Sequence, residues 1–403
     1  MNKFKNITYT FIGNIVAALI KWLILILIVR ITNPEMVGYY TFAIALTSPI
    51  MLFANMRLRL RYVVEDDLYF KDLKKIRHIL DLICTIMILL ITYLFLQEYL
   101  YIIFLITLTK VLDLSSELYY AILQKKEDFK TISLMMIGKN IGIIITFTII
   151  IIITKNIYLS LIGQNLIQLL WLIIIERKSR KSIIKENRNI KSKSILLSIF
   201  IAGLPLGFVQ LLNSYNILIP RYIIEDFLSL KAVGIFASVS YLLTIMDLFM
   251  NAISQNFISS IKKLAQNNEI KQLKKFLNSY VFLGSLILGL ATIFFTYTFG
   301  EKIITLVYGN EYAKESVILV IISISITFNF QSWMFDSTLM ALKVYNFQLI
   351  VSIITFIVSI VVSLSLIEKY DLVGAAISVV VITMVQAFIK YMIVITKINK
   401  LEA

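Results

Sequence analysis

Apolar runs long enough to cross about 30 Å of hydrocarbon as helices follow one another from end to end of this chain, more than any soluble core could absorb. Twelve such segments are predicted, at residues 8–30, 37–55, 78–97, 99–123, 131–154, 157–175, 194–219, 231–257, 277–299, 315–339, 344–367 and 372–396. Of the 403 residues, 59% are hydrophobic and 16% charged, a balance that excludes an ordinary globular domain. The runs are continuous rather than alternating, and they are about twice the length of a barrel strand, so helices are expected.

Charge sets the expected orientation. With the N-terminus inside and twelve spans, the cytoplasmic segments hold 29 of the 39 lysines and arginines, and the outer segments hold seven. The three remaining, Lys21, Lys110 and Lys139, fall within predicted spans. This asymmetry predicts an N-in, C-in topology and makes the net charge of +15 a topological signal rather than a sign of nucleic-acid binding. Each basic connection is read as cytoplasmic retention and contact with anionic lipid. The first run is followed by VRITNPEM, which has no small-residue cleavage site, so it is expected to be retained. Cys84 and His78 are each single in the sequence, which rules out an intrachain disulfide and sets aside a Cys/His zinc site.

The longest basic connection, ERKSRKSIIKENRNIKSKS from Glu176 to Ser194, divides the chain. The expected organisation is an N-terminal six-helix lobe at 1–175, a basic cytoplasmic linker at 176–193 and a C-terminal six-helix lobe at 194–403. A weak repeat relates the halves: Arg30 precedes a span starting Val37-Gly38-Tyr39, and Arg221 precedes one starting Val233-Gly234-Ile235. Even numbers of spans per half make these parallel repeats about an axis along the membrane normal.

Charges inside spans point to function, because each costs about 2.5–3.5 kcal/mol at the bilayer centre unless it meets protein or water. The stretch LITLTKVLDLSSELYYAIL from Leu105 carries Lys110, Asp113 and Glu117 within one third of the helical circumference. Lys110 and Asp113, three residues apart, can alternatively neutralise each other within one helix. Lys21 and Lys139 lie in other spans of the same half. In the second half, Ser240, Thr244, Asp247, Asn251 and Ser254 stack on one face, as do Ser325, Asn329, Ser332 and Asp336. Gln210, Asn213, Ser214 and Arg221 share one side of the seventh span. Neutral members of such stripes equally serve as hydrogen bonds between helices. Asp247, Asn251 and Asp336, set among hydroxyl and amide oxygens, are candidates for a coupling Na+ or H+. No other cofactor and no metal centre is expected.

The segments GYYTFAIALTSPIMLFANMRLRLR from Gly38, GLPLGFVQLLNSYNILIPRYIIEDFLSLKAVGIFASVSYL from Gly203, YGNEY from Tyr308 and LVGAAISVV from Leu372 resemble the polysaccharide transporter family. These are the Wzx-type flippases for O-antigen and capsule repeat units, in the superfamily that also holds multidrug extruders and lipid II flippases. The resemblance covers nearly the whole chain. It implies an all-α membrane protein of two six-helix lobes around a central cavity, in the bacterial cytoplasmic membrane. It also implies a substrate, an undecaprenyl-pyrophosphate-linked oligosaccharide carried from the inner to the outer leaflet, and a monomer that works beside membrane lipids and polysaccharide polymerase machinery. Candidate substrate-binding residues are Lys21, Lys110, Asp113, Glu117, Lys139, Asn213 and Arg221, with lysines for the pyrophosphate and amides for the glycan. Two other functions fit a chain this apolar. One is a related multidrug-type exporter, and the other is a membrane enzyme such as a polymerase acting on the same lipid, for which Glu65-Asp66-Asp67 offers the best acidic cluster. That cluster, flanked by Arg61 and Lys71, reads better as a solvated turn than as a catalytic site.

The charge asymmetry is directly testable. A cysteine placed between Glu176 and Ser194 should be shielded from an impermeant reagent in intact cells, whereas one at Asn310 should be labelled; labelling at the first position would reverse the orientation.

Overall fold

The computed structural model describes residues 2–64, 68–126, 128–180, 193–244, 269–342 and 347–402, together with 246, 247, 250, 253, 254, 257, 261, 263, 264 and 267. Every extended element among them is helical, and ten helices are long and apolar enough to cross a membrane. In chain order they begin with α1 (Asn2–Ile31), α2 (Pro34–Asn55), α3 (Leu58–Val64), α4 (Phe70–Phe95), α5 (Leu100–Lys125), α6 (Phe129–Thr154), α7 (Ile157–Arg180) and α8 (Lys193–Phe227). They continue with α9 (Leu230–Tyr241), α10 (Ile270–Lys275), α11 (Phe282–Tyr308), α12 (Ser316–Ser323), α13 (Ser325–Ala341) and α14 (Phe347–Glu402). The acidic cluster at 65–67 and residues 181–192 of the basic connection lie outside the described residues.

Helix boundaries follow local chemistry. Asn33 caps α2, its Oδ1 accepting from the Met36 amide at 2.8 Å, and Pro34 follows where no intrahelical donor is needed. Asp128 caps α6 and Ser229 caps α9 in the same way. Met56 and Arg57, with φ of 45° and 50°, turn the chain from α2 into α3. Two predicted spans, 344–367 and 372–396, fall on the single element α14, which is broken at Tyr370 and Asp371, where Asp371 has φ 50°. A Cβ on Gly374 would come within 1.9 Å of the Leu366 carbonyl oxygen, so the chain doubles back here through a turn that only glycine fits. The seventh span, expected at 194–219, is longer: α8 runs through Pro205 and Pro220 to Phe227. Membrane helices tolerate proline where neighbours satisfy the freed backbone.

The chain divides into two compact units, Met1–Ser214 and Tyr215–Ala403, with the division inside α8. In the first, α5 is central and packs against α2, α3, α4 and α7, while α1 lies along α6. Its largest wholly buried polar group is Arg77 of α4, paired with Asp81 one turn on and donating to the Ala54 carbonyl at 3.1 Å. Arg61 of α3 is buried too, donating to the Ile199 carbonyl of α8 at 2.8 Å. Both lie between the spans predicted at 37–55 and 78–97, in what was expected to be a cytoplasmic connection; helices α3 and α4 bury them instead. In the second unit, α13 and the two limbs of α14 form the main packing, with α11 and α12 against them.

Gly203 and Gly207 show how close the helices approach in the first unit. A Cβ on Gly203 would lie 2.9 Å from the Met56 sulfur, and one on Gly207 would lie 2.8 Å from the Phe53 carbonyl oxygen. Small residues four apart are a recurrent device for close backbone packing in membranes. Gly207→Val should therefore destabilise by about 1–3 kcal/mol through overpacking. Gly284→Ala, whose nearest neighbour would be 3.8 Å away, should leave the thermal unfolding midpoint of purified protein unchanged or raised.

Candidate functional site

The charges of α5 do not cancel along their own helix. Asp113 accepts from the Lys139 Nζ of α6 at 2.8 Å and from the Gln168 amide of α7 at 3.3 Å, so one carboxylate joins three helices. Glu117 is held by Arg59 of α3 at 2.5 Å; the same guanidinium donates to Gln124 Oε1 at 2.8 Å and lies 5.7 Å from the centre of the Tyr120 ring. One turn earlier, the Thr109 hydroxyl donates to Asn165 Oδ1 at 2.7 Å, and the Asn165 amide donates to the Leu105 carbonyl at 3.1 Å. These bonds stitch α5 to α7.

Two glycines let α7 come close enough for this. On α6, Gly138 and Gly142 flank Lys139 and Asn140, and a Cβ on Gly138 would overlap the Trp171 ring of α7 at 2.4 Å. The indole fills the space that the glycines leave, which sets α6 and α7 at the distance where Lys139 and Gln168 reach one carboxylate oxygen.

Lys110, by contrast, makes no hydrogen bond or ion pair with any described residue, although it is half-buried. Lys21 of α1 is exposed, close enough to repel Lys110 and to attract Asp113. Three lysines thus surround one carboxylate, and Glu117 is already engaged by Arg59, so two positive charges are left over. On the same helices, Gln164 Oε1 and Gln168 Oε1 of α7 and the Tyr120 hydroxyl of α5 are buried without a hydrogen-bond partner among the described residues. Buried polar atoms in native structures rarely lack partners, so this concentration marks a polar site.

The structure therefore brings Lys21, Lys110, Asp113, Glu117 and Lys139 onto neighbouring helices of the first unit. Asn213 lies exposed on α8 of that unit. Arg221 belongs to the second unit; it is buried rather than at a helix end, with its guanidinium 5.6 Å from the centre of the Tyr241 ring. Among the residues considered for ion coupling, Asp247 accepts from Asn329 at 3.2 Å, and Asn251 is outside the described residues. Asp336 is not a lone carboxylate among neutral oxygens. Lys390 of α14 donates to it at 2.6 Å and to the Ser332 hydroxyl at 2.7 Å. Sequence reasoning assigned Lys390 to the cytoplasmic C-terminal charges, yet its setting in VVVITMVQAFIKYMIVI carries the same signal that singled out Lys110. Gln164, Gln168 and Tyr120 were missed because neutral residues in an apolar run give no comparable signal.

Ten helices long and apolar enough to cross a membrane, with a cationic cluster tied by one carboxylate among them, define a multi-pass membrane protein. The chain matches the family described as "Polysaccharide biosynthesis protein" over residues 4–258. It is 31% identical over 381 residues, 94% of its own length and 95% of the relative's, to the "Capsular polysaccharide biosynthesis protein CapF" of Staphylococcus aureus. The chain belongs to the polysaccharide biosynthesis protein family, for which the bacterial cytoplasmic membrane is the fitting location. Its fold is also that of an inward-facing multidrug resistance MATE family transporter of the MOP superfamily, with TM-score 0.75 at 15% identity over 98% of this chain and 95% of the other. The lipid II flippase MurJ in its inward closed conformation matches with the same TM-score and identity over 98% and 90% of the two chains.

The tether makes an energetic prediction. Removing one partner of a buried ion pair costs about 3–5 kcal/mol, whereas replacing both with apolar groups is often neutral. Asp113→Leu, which strands three lysines, should lower the unfolding temperature more than Lys139→Met, and the double variant should recover most of the loss. Strictly additive losses would show that the pair is not coupled.

Proposed function

We propose that this protein is a flippase that carries an undecaprenyl-pyrophosphate-linked oligosaccharide repeat unit from the inner to the outer leaflet for surface polysaccharide synthesis. The observation that carries the reading is the surplus of positive charge around Asp113, within a family concerned with polysaccharide biosynthesis. Such a substrate cannot cross hydrocarbon unaided, because its pyrophosphate and glycan hydroxyls would lose their water. Lys110 and Lys21 are the charges not consumed by a pairing bond, and they are suited to attract a phosphate. Lys139 is committed to Asp113, which keeps the cluster from being a strong fixed cation when no substrate is present. Buried acceptors on Gln164 and Gln168 suit hydroxyl donors. An exporter of small organic cations is disfavoured by the same surplus, which would repel its cargo. A lipid-acting enzyme is disfavoured by the transporter-type family and fold. Export of an anion would be assisted by an inside-negative potential, about 2.3 kcal/mol per charge per 100 mV.

The test is to replace the uncommitted lysines and weigh the lipid intermediates. A charge-assisted hydrogen bond contributes about 1.5–3 kcal/mol, so Lys110→Ala and Lys21→Ala should each lower export by about ten- to a hundredfold. The lipid-linked glycan should then accumulate in the inner leaflet, as read by mass spectrometry of extracted lipids, while membrane levels of the protein stay normal. Lys110→Arg and Lys21→Arg should retain part of the activity. Undiminished export in both alanine variants would remove the pyrophosphate from this cluster.

A further inference from the structure

The second unit contains a cavity of about 320 Å³ to which the flippase reading gives no role. It is apolar and aromatic for most of its surface, walled by Phe282 of α11, Phe328 and Phe335 of α13, and Met384, Ala387 and Phe388 of α14. Phe282, Met384 and Phe388 are exposed, at 54%, 44% and 62%, so the cavity is open along one side. Its polar end is formed by Asn278 and Tyr391, whose hydroxyl donates to Asn278 Oδ1 at 3.2 Å.

Charge continues from that polar end. Lys275 ends α10, three residues before Asn278, and a π-helical turn over Phe276–Val281 joins it to α11; Lys271 lies four residues before Lys275, on the same face of α10, and both lysines are exposed. The membrane-crossing stretch from Ile270 to Tyr308 has 39 residues, so it is about 58 Å long, roughly twice the thickness of the hydrocarbon. A stretch this long has room for its basic first turns in the headgroup region with Phe282 among the acyl chains. Apolar groove below and paired ammonium groups above match the two ends of one anionic amphiphile. Basic sites of this kind beside membrane helices hold anionic headgroups, at about 1 kcal/mol per lysine.

We propose that this cavity is a binding site for an anionic glycerophospholipid of the surrounding bilayer, with one acyl chain between α11, α13 and α14 and the phosphate at Lys271 and Lys275. A zwitterionic lipid of equal chain length would fill the groove but gain nothing from the lysines. The chain and headgroup contributions are separable by mutation. Ala387→Phe occupies the groove, and the double variant Lys271→Gln with Lys275→Gln removes the charge from an exposed surface where folding is undisturbed.

The full-length protein, purified from bilayers holding equal amounts of phosphatidylglycerol and phosphatidylcholine, would be read by native mass spectrometry for retained lipid. Wild type should keep one phosphatidylglycerol in clear preference. The lysine variant should lose about fivefold of that preference for each lysine removed, and Ala387→Phe should retain neither lipid while unfolding at a normal temperature. Equal retention of the two lipids by wild type, or an unchanged preference in the lysine variant, would overturn the proposal, even if Ala387→Phe fails to fold. Undiminished retention by folded Ala387→Phe would place the lipid elsewhere. A third arm adds undecaprenyl phosphate; its retention in place of phosphatidylglycerol would assign the groove to a polyprenyl chain and overturn the phospholipid assignment.

Discussion

A carboxylate held among membrane helices has to be met by positive charge or by donors, and half-buried Asp113 is met by both. Lys139 and Gln168 reach it from two other helices, and that one requirement accounts for much of the first unit: the glycines of α6, the indole of Trp171 against them and the close approach of α5 to α7. Hydrophobic association cannot supply this specificity, because lipid tails are as apolar as the helix faces. Polar contacts and close-packed small residues define which helices meet. The same logic recurs where Arg77 pairs with Asp81 and where Lys390 reaches Asp336.

Because Asp113 draws on Lys139, the remaining lysines are left with charge to spare. Lys110 is half-buried without a bonded partner, and Lys21 is exposed beside it. A cluster in which one cation is satisfied and two are not is poorly explained as scaffolding, since a structural network would have each buried charge paired. The orphaned oxygens of Gln164 and Gln168 sharpen the point. They supply acceptors where the lysines supply charge, a mixture suited to a ligand that is both anionic and hydroxylated.

Much of the fold was legible because hydrocarbon imposes a length and a composition on every helix that crosses it. The predicted segment 99–123 lies within two residues of α5, and the break between 367 and 372 falls where α14 turns. The family was legible above all from the segment that starts at Gly203, whose glycines at 203 and 207 allow close approach to Met56 and Phe53. Pairing was less legible. Spacing alone allowed Lys110 to neutralise Asp113, but the partner came from another helix, which one-dimensional periodicity cannot reveal. Arg77 fell just before the span predicted at 78–97, but α4 begins at Phe70 and places it one turn from Asp81. Arg221 follows a span expected to end at residue 219, yet α8 runs on to Phe227 and buries it.

The reversal in α14 has a consequence for what kind of sequence change the second unit accepts. Surface connections ordinarily tolerate insertion and deletion, since extra residues bulge into solvent. Here Asp371 and Gly374 turn the chain with no slack, and the returning limb carries Lys390 to Asp336. One residue added between Gly374 and Lys390 would rotate everything after it by about 100° and lift it by about 1.5 Å, carrying the ammonium off its carboxylate. Beyond Gly374 itself, length rather than residue identity is what this part of the chain has least freedom to vary.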